Sequence, residues 1–204
     1  MKTKLASIIT AFILVVAFVV SGCSYPLLSN SESSSKKTSV SSNVSKSKKS
    51  GSSEKSESKT TAYKMKDIYK LKNTEHFAKK TLEHIFDGTI NSKGKATGYH
   101  YSMVEDSKGS IIDGTRSKED ENGVFTAKVK VNNVKKNGFS SFYPERWTPQ
   151  QVVDAINTAY EYAVNDSKNP KGSLWIGYCD DLEIDMYLDS NKRITTAYPV
   201  YEGD

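Results

Sequence analysis

The sequence predicts an α+β domain: a helix, a run of strands, one long helix and a closing hairpin, with the strands joined in an antiparallel sheet. Three stretches carry this reading. "GVFTAKVKVNNV" alternates Phe125, Ala127, Val129 and Val131 against polar neighbours, as a half-buried strand does. "WTPQQVVDAINTAYEYAV" repeats apolar residues at helical spacing. "LEIDMYLDSNKRITTAYPVY" holds two alternating runs around the turn "DSNK".

The chain before that domain is of two kinds. Lys2 and Lys4 precede the apolar run "LASIITAFILVVAFVV", and small residues follow, which predicts a secretory signal over residues 1–22. Val20, Ser21, Gly22 and Cys23 resemble a bacterial lipobox, in which the chain is cut before the cysteine and its thiol carries lipid. An uncleaved anchor is the alternative. Both place the protein outside the cytoplasm and tethered to the cell membrane through Cys23 or the apolar run; two acyl chains hold stably where one is marginal. Residues 23–60 are dominated by serine and lysine and offer almost nothing to bury, so a disordered linker is expected there. Residues 61–204 remain, enough for one domain with a core of its own.

Within that domain, "NTEHFAKKTLEHIFDG" predicts a helix, with Asn73 or Thr74 as cap, Phe77, Leu82, Ile85 and Phe86 facing inward, and Gly88 ending it. His84 then falls in its last turn. "NSKGKATGYHYSM" leaves through two glycines into a strand-like run ending near Val104. The strand of Phe125 to Val131 follows, and "KKNGFSSFY" turns and continues as its partner. The long helix has the clearest start. Thr148 caps it, Pro149 takes the first position, where a missing N–H costs nothing, and Gln151 completes a capping box. "DSKNPKGS" breaks the chain before the closing hairpin.

Charge and cysteines limit the function classes. Of 29 Lys and Arg, 20 lie in residues 61–204, against 21 of the 24 Asp and Glu, so the domain is close to neutral and the basic balance belongs to the leader and linker. A general nucleic-acid footprint cannot rest on net charge, and any polyanion site must be local. Cys179 is the one cysteine besides Cys23, which leaves no intrachain disulfide once Cys23 is lipidated, and a lone thiol of this kind reads as core. Neither an HExxH helix, a CxxC pair nor a GxSxG elbow is present, which argues against a zinc site and a serine nucleophile. The chain has three histidines, and two of them, His84 and His100, bracket a Gly/Lys loop. The residues alone leave two readings open. The imidazoles act together as general acid and base, since histidine is poised between protonation states near neutral pH; or they are ordinary residues, His84 being favoured at a helix C-terminus as a cation in any case.

"LEHIFDGTINSKGKATGYHY", "GVFTAKVKV", "FYPERWTPQQVVDAINTAY" and "ITTAYPVY" together resemble the bacterial EndoU nuclease domain, in the family's order, from about Leu82 to Tyr201. The resemblance implies the fold of barnase, colicin ribonuclease domains and related toxins: N-terminal helices packed on a twisted antiparallel sheet that carries the site. It implies a metal-independent or manganese-stimulated endoribonuclease, commonly a toxin module of secreted proteins, that cleaves RNA by 2′-OH transesterification to 2′,3′-cyclic phosphate ends. No resident metal or cofactor is expected. His84 and His100 match the two family histidines, with His100 assigned as base and His84 as acid; an exchange of roles stays open. Thr196 and Tyr198 match a threonine-x-tyrosine pair, and alternation puts them on one face of the last strand. Thr196 would bond a phosphate oxygen or base edge, and Tyr198 would stack on a base, worth ~1 to 3 kcal/mol; alternatively the pair faces the core. Cellular and viral relatives add a lysine that offsets charge on the phosphorane. No motif marks it here. Lys93 and Lys95, in the loop between the histidines, are the candidates for substrate contact, with Lys128 and Lys130 on a strand. RNA, tRNA included, is the implied partner, with a cognate immunity protein if the protein is an antibacterial toxin; a monomer is expected. The competing function is a noncatalytic surface lipoprotein that uses the same fold for binding, with 12 tyrosines available for contacts.

Overall fold

The structure, a computed structural model, describes residues 62–203. The expected signal sequence, the lipidation site Cys23 and the serine/lysine linker lie outside the described residues. The architecture is α+β, with helices α1 (Met65–Ile68), α2 (Thr81–Phe86) and α3 (Pro149–Asn165). The strands form four small antiparallel sheets. Strand β1 (Thr89–Ile90) pairs with β2 (Ala96–Thr97), and β3 (Gly109–Ile111) with β5 (Val129–Val131), which also pairs with β6 (Val134–Lys135). Strand β4 (Phe125–Ala127) pairs with β7 (Ser140–Phe142). The second three-stranded sheet has the order β10-β9-β8, from β8 (Trp175–Cys179), β9 (Leu182–Leu188) and β10 (Ile194–Pro199).

Helix α3 forms as its sequence predicts. Thr148 Oγ1 accepts from the Gln151 N–H at 3.2 Å, and Gln151 Oε1 accepts from the Thr148 N–H at 2.8 Å, closing the capping box ahead of Pro149. Its apolar face buries Val152, Val153, Ile156, Ala159 and Ala163 against β8 and β9. Each fully buried Val or Ile contributes about 1.5 to 3 kcal/mol. The approach is close enough that β8 needs Gly177, because a Cβ there would collide with the Ala159 carbonyl. Cys179 is buried in this core, as its isolation in the sequence suggests.

Three expectations change. The helix expected over "NTEHFAKKTLEHIFDG" is α2, which starts at Thr81 instead of near Asn73. Residues 76–78 spend their backbone hydrogen bonds on β10: Ala78 N–H donates to the Ile194 carbonyl and Ile194 N–H to the His76 carbonyl, both at 2.8 Å. Those groups are then unavailable to a helix, and Asn73 bonds Asp154 and Asn157 across to α3. The run of Phe125 to Val131 is two strands in separate sheets, hinged at Lys128; its alternation holds, since Phe125, Ala127, Val129 and Val131 are all fully buried. A single twisted sheet is replaced by the four small ones.

Two apolar cores result. The larger gathers α1, α2, α3 and the β10-β9-β8 sheet, and includes Phe86 and Tyr101. The smaller holds Ala96, Tyr99, Phe125, Ala127, Val129, Val131 and Phe142. Tyr99 and Tyr101 belong to different cores, so the residue between them, His100, sits on the seam.

Candidate functional site

The seam is made by the way α2 ends. A helix leaves its last carbonyls without intrahelical partners. Here the Tyr99 N–H donates to the His84 carbonyl at 2.8 Å and the His100 N–H to the Ile85 carbonyl at 2.7 Å. The chain that left α2 therefore returns to it and lays His100 beside His84. Gly98 makes the return feasible: its φ is +74°, and a Cβ would strike the His84 carbonyl and ring. The two imidazole centroids stand 6.1 Å apart. His100 is also stacked on Tyr198 of β10, 5.4 Å between centroids.

Hydrogen bonds give the two rings different proton positions. His100 Nδ1 lies 2.8 Å from the Ser141 carbonyl, which can only accept, so Nδ1 carries the proton and neutral His100 presents a bare Nε2. His84 Nδ1 lies 3.2 Å from Thr89 Oγ1, which is 2.9 Å from Thr97 Oγ1; Thr97 Oγ1 donates to the Thr89 carbonyl. With that end fixed, Thr89 donates to Thr97 and His84 Nδ1–H to Thr89. Nε2 of His84 is then the nitrogen free to bind and release a proton.

Electrostatics favour neutral rings in the free protein. Burial, and then the Lys136 ammonium, lower His84 to about 4. Burial first, with Lys136 next, holds His100 well below its ordinary value, against an opposing contribution from the Ser141 carbonyl. Lys136 is itself pushed down to about 8 by burial. Its Nζ donates to Ser140 Oγ at 2.7 Å and to the Gly98 carbonyl at 3.3 Å, tying the β6–β7 turn to the loop between the histidines. Burial first, and then the nearby Asp185 and Tyr187 side chains, raise the Tyr198 hydroxyl above the ordinary tyrosine value. One Asp185 oxygen is buried with no hydrogen-bond partner among the described residues.

The site thus brings together His84, His100 and Tyr198, with Thr196 half-buried two residues before Tyr198 on β10. A register shift between Ile194 and Thr196 turns the strand so that Ile194 and Ala197 enter the core while Thr196 and Tyr198 do not. Lys93 and Lys95 lie at the exposed β1–β2 turn, where their N–H groups bond Asn91 Oδ1. Lys136 is the lysine next to both rings, and sequence reasoning missed it. Its only local signal is the pair Lys135 and Lys136 ahead of the "NG" turn, one exposed and one half-buried. The third histidine, His76, is half-buried and stacks on Tyr160 at 4.6 Å. Among the described residues, no three His, Cys, Asp or Glu side chains are grouped to hold a metal ion.

The family model of the bacterial EndoU nuclease matches residues 78–201, which run from the approach to α2 to just past β10 and hold every side chain of this site. The chain belongs to the bacterial EndoU nuclease family. A Bacillus cereus protein named "Toxin" is similar too, 40% identical over 136 residues. Those residues are 65% of this chain and 24% of that relative, so the chain spans about a quarter of the relative's length. Nuclease membership therefore covers the region of the seam between the two cores, and the relative's toxin name attaches to a far longer protein.

Proposed function

We propose that this EndoU-family chain is an endoribonuclease that cleaves RNA by transesterification, with His100 as base and His84 as acid. The observation that carries the reading is the bond from His100 Nδ1–H to the Ser141 carbonyl, because it leaves Nε2 bare on a ring 6.1 Å from the second imidazole. In the proposed reaction, His100 Nε2 takes the proton of a ribose 2′-OH and the oxygen attacks the adjacent phosphorus. As the P–O5′ bond breaks, His84 Nε2–H gives its proton to the leaving oxygen. The products are a 2′,3′-cyclic phosphate and a free 5′-OH. Each such transfer contributes typically ~10² to 10⁴-fold.

Lys136 is assigned the charge on the phosphorane, and Tyr198 the base 5′ to the bond, by extending the stack that begins at His100. Thr196 contributes a hydroxyl toward a phosphate oxygen, and Lys93 and Lys95 contact substrate further out. The anionic phosphate diester supplies what the free protein lacks: opposite Lys136, it raises His84 toward the protonated state that an acid requires.

Purified protein incubated with RNA in the presence of a chelator, and again with manganese, tests this. Cleavage by the wild type, and cleavage ~10² to 10⁴-fold slower by His84→Ala or His100→Ala, is the expected result. RNA left equally intact by all three supports the noncatalytic binding reading instead. An outward-facing enzyme tethered through a lipid on Cys23 predicts incorporation of labelled fatty acid that Cys23→Ser abolishes. An antibacterial toxin, as the name of the Bacillus cereus relative suggests, predicts a cognate immunity protein that blocks cleavage when added.

A further inference from the structure

Beside His84 lies an open cleft of about 400 Å³. His84 lines it, and His100 and Tyr198 do not. Lys79, Lys80, Lys108, Glu83 and Asn132 also line it. The charges are not equivalent. Lys108 is committed to the buried Asp87, 2.5 Å away, and Glu83 accepts from the Tyr69 hydroxyl at 3.2 Å. Lys79 and Lys80 are exposed and form no ion pair among the described residues. Lys80 adopts φ +76°, a left-handed conformation that costs a lysine more than a glycine or asparagine. Strain held at a site's rim points from the outlier to a role for it.

We propose that this cleft is a subsite for the RNA strand 3′ of the cleaved bond, with Lys79 and Lys80 contacting its phosphates. The inference rests on the ribonuclease reading above, because the acid defines the polarity. His84 protonates the 5′-oxygen of the leaving nucleotide, so the chain that continues from that oxygen leaves past His84 into the space His84 lines. The nucleotide carrying the attacking 2′-OH stays on the His100 and Tyr198 side. The substrate class is therefore single-stranded RNA extended by a few nucleotides beyond the cut, with recognition there by phosphate charge and no dependence on base.

The test uses DNA strands that carry a single ribonucleotide, which confine transesterification to one bond, with the ribonucleotide near the 5′ end or near the 3′ end. The full chain should cut the first kind, with its long 3′ extension, roughly tenfold more efficiently in kcat/KM; a loss of that size corresponds to one weakened phosphate contact or more. The variant Lys79→Gln/Lys80→Asn should lose that preference; asparagine keeps the left-handed backbone accessible. In parallel, binding to an all-deoxy strand that cannot be cut is followed against salt. The variant should lower the slope of log K against log salt by about 1.4, at ~0.7 per single-strand phosphate. A preference that survives in the variant, or a wild type indifferent to which side is extended, overturns the subsite. So does an unchanged salt slope. If the wild type cuts neither chimera but the slope still falls, the cleft binds the strand and the ribonuclease reading is what fails.

Discussion

Helices α3 and α2 both pack on the β10-β9-β8 sheet, but they are held in different ways. α3 carries its own start signal in Thr148, Pro149 and Gln151, and its own apolar face over 17 residues. α2 has six residues, no side-chain cap and a left-handed lysine at its N-cap. A helix of that length is marginal by itself. It is held by Thr81 Oγ1, which donates to the Ile194 carbonyl, and by the Tyr99 and His100 N–H groups on its last carbonyls. One helix is scaffold specified locally. The other is part of a site specified by distant partners, and the bonds that hold it are the ones that bring two imidazoles together.

Perturbing the second region should therefore cost activity, and perturbing the first should cost stability. The largest effect is expected from His84→Ala and His100→Ala, each lowering kcat by ~10² to 10⁴-fold while thermal unfolding stays cooperative. Lys136→Met comes next, lowering kcat by ~10² to 10³-fold, the cost of removing one charge-stabilising donor. It should also raise the titration midpoints of both histidines, followed by NMR, because burial still depresses them but the Lys136 ammonium that adds to burial is gone. If the midpoints stay put while activity falls, Lys136 does not act through the site's field.

Dependence on pH is a smaller effect with a definite sign. Protonated His84, needed as acid, and charged Lys136, at about 8, both grow in population as pH falls from about 9 to 5, while burial favours the neutral form of His100 that a base requires. kcat/KM should therefore rise toward acid over that range. Stability runs the other way. His84 titrates at about 4 when folded and at 6.5 when unfolded, so the unfolded chain binds the proton first. Its contribution is complete above 6.5 and is lost as pH falls through about 4, and denaturant titrations across that window should show the decline. The smallest effect is expected in the scaffold: Thr148→Ala should cost ~1 kcal/mol of unfolding free energy and leave kcat/KM unchanged.

The same contrast explains what could be read from sequence. The bounds and cap of α3, the β9–β10 hairpin and the buried positions of β4 and β5 were legible because each follows a local period or a capping pattern. The late start of α2 was not, since the backbone of residues 76–78 is paired with Ile194, more than a hundred positions away. Strand β8 was not recognised either; "WIGYC" lacks clean alternation, and Gly177 is there for closeness to α3 instead of for a strand. Among site residues, His84, His100, Thr196 and Tyr198 stood out through family motifs. Lys136 reaches the rings only through the pairing of Lys136 with Ala96 and the meeting of Ser140 with the Gly98 carbonyl, contacts that no local pattern announces.

Gly98 joins the two halves of the account, because its missing Cβ is what lets His84 and His100 share one seam. Gly98→Ala should leave a folded α3 scaffold with a damaged site, losing activity beyond what its stability loss of more than about 1 kcal/mol explains. The central claim, that this imidazole pair cleaves RNA through the 2′-hydroxyl, is tested most directly by the chemistry of the products. Phosphorus NMR of a short RNA cut by the protein in chelator should show a 2′,3′-cyclic phosphate, and the same sequence made with 2′-deoxyribose should remain whole. Linear phosphate formed at once without a cyclic species, or equal cutting of the deoxy strand, would contradict it.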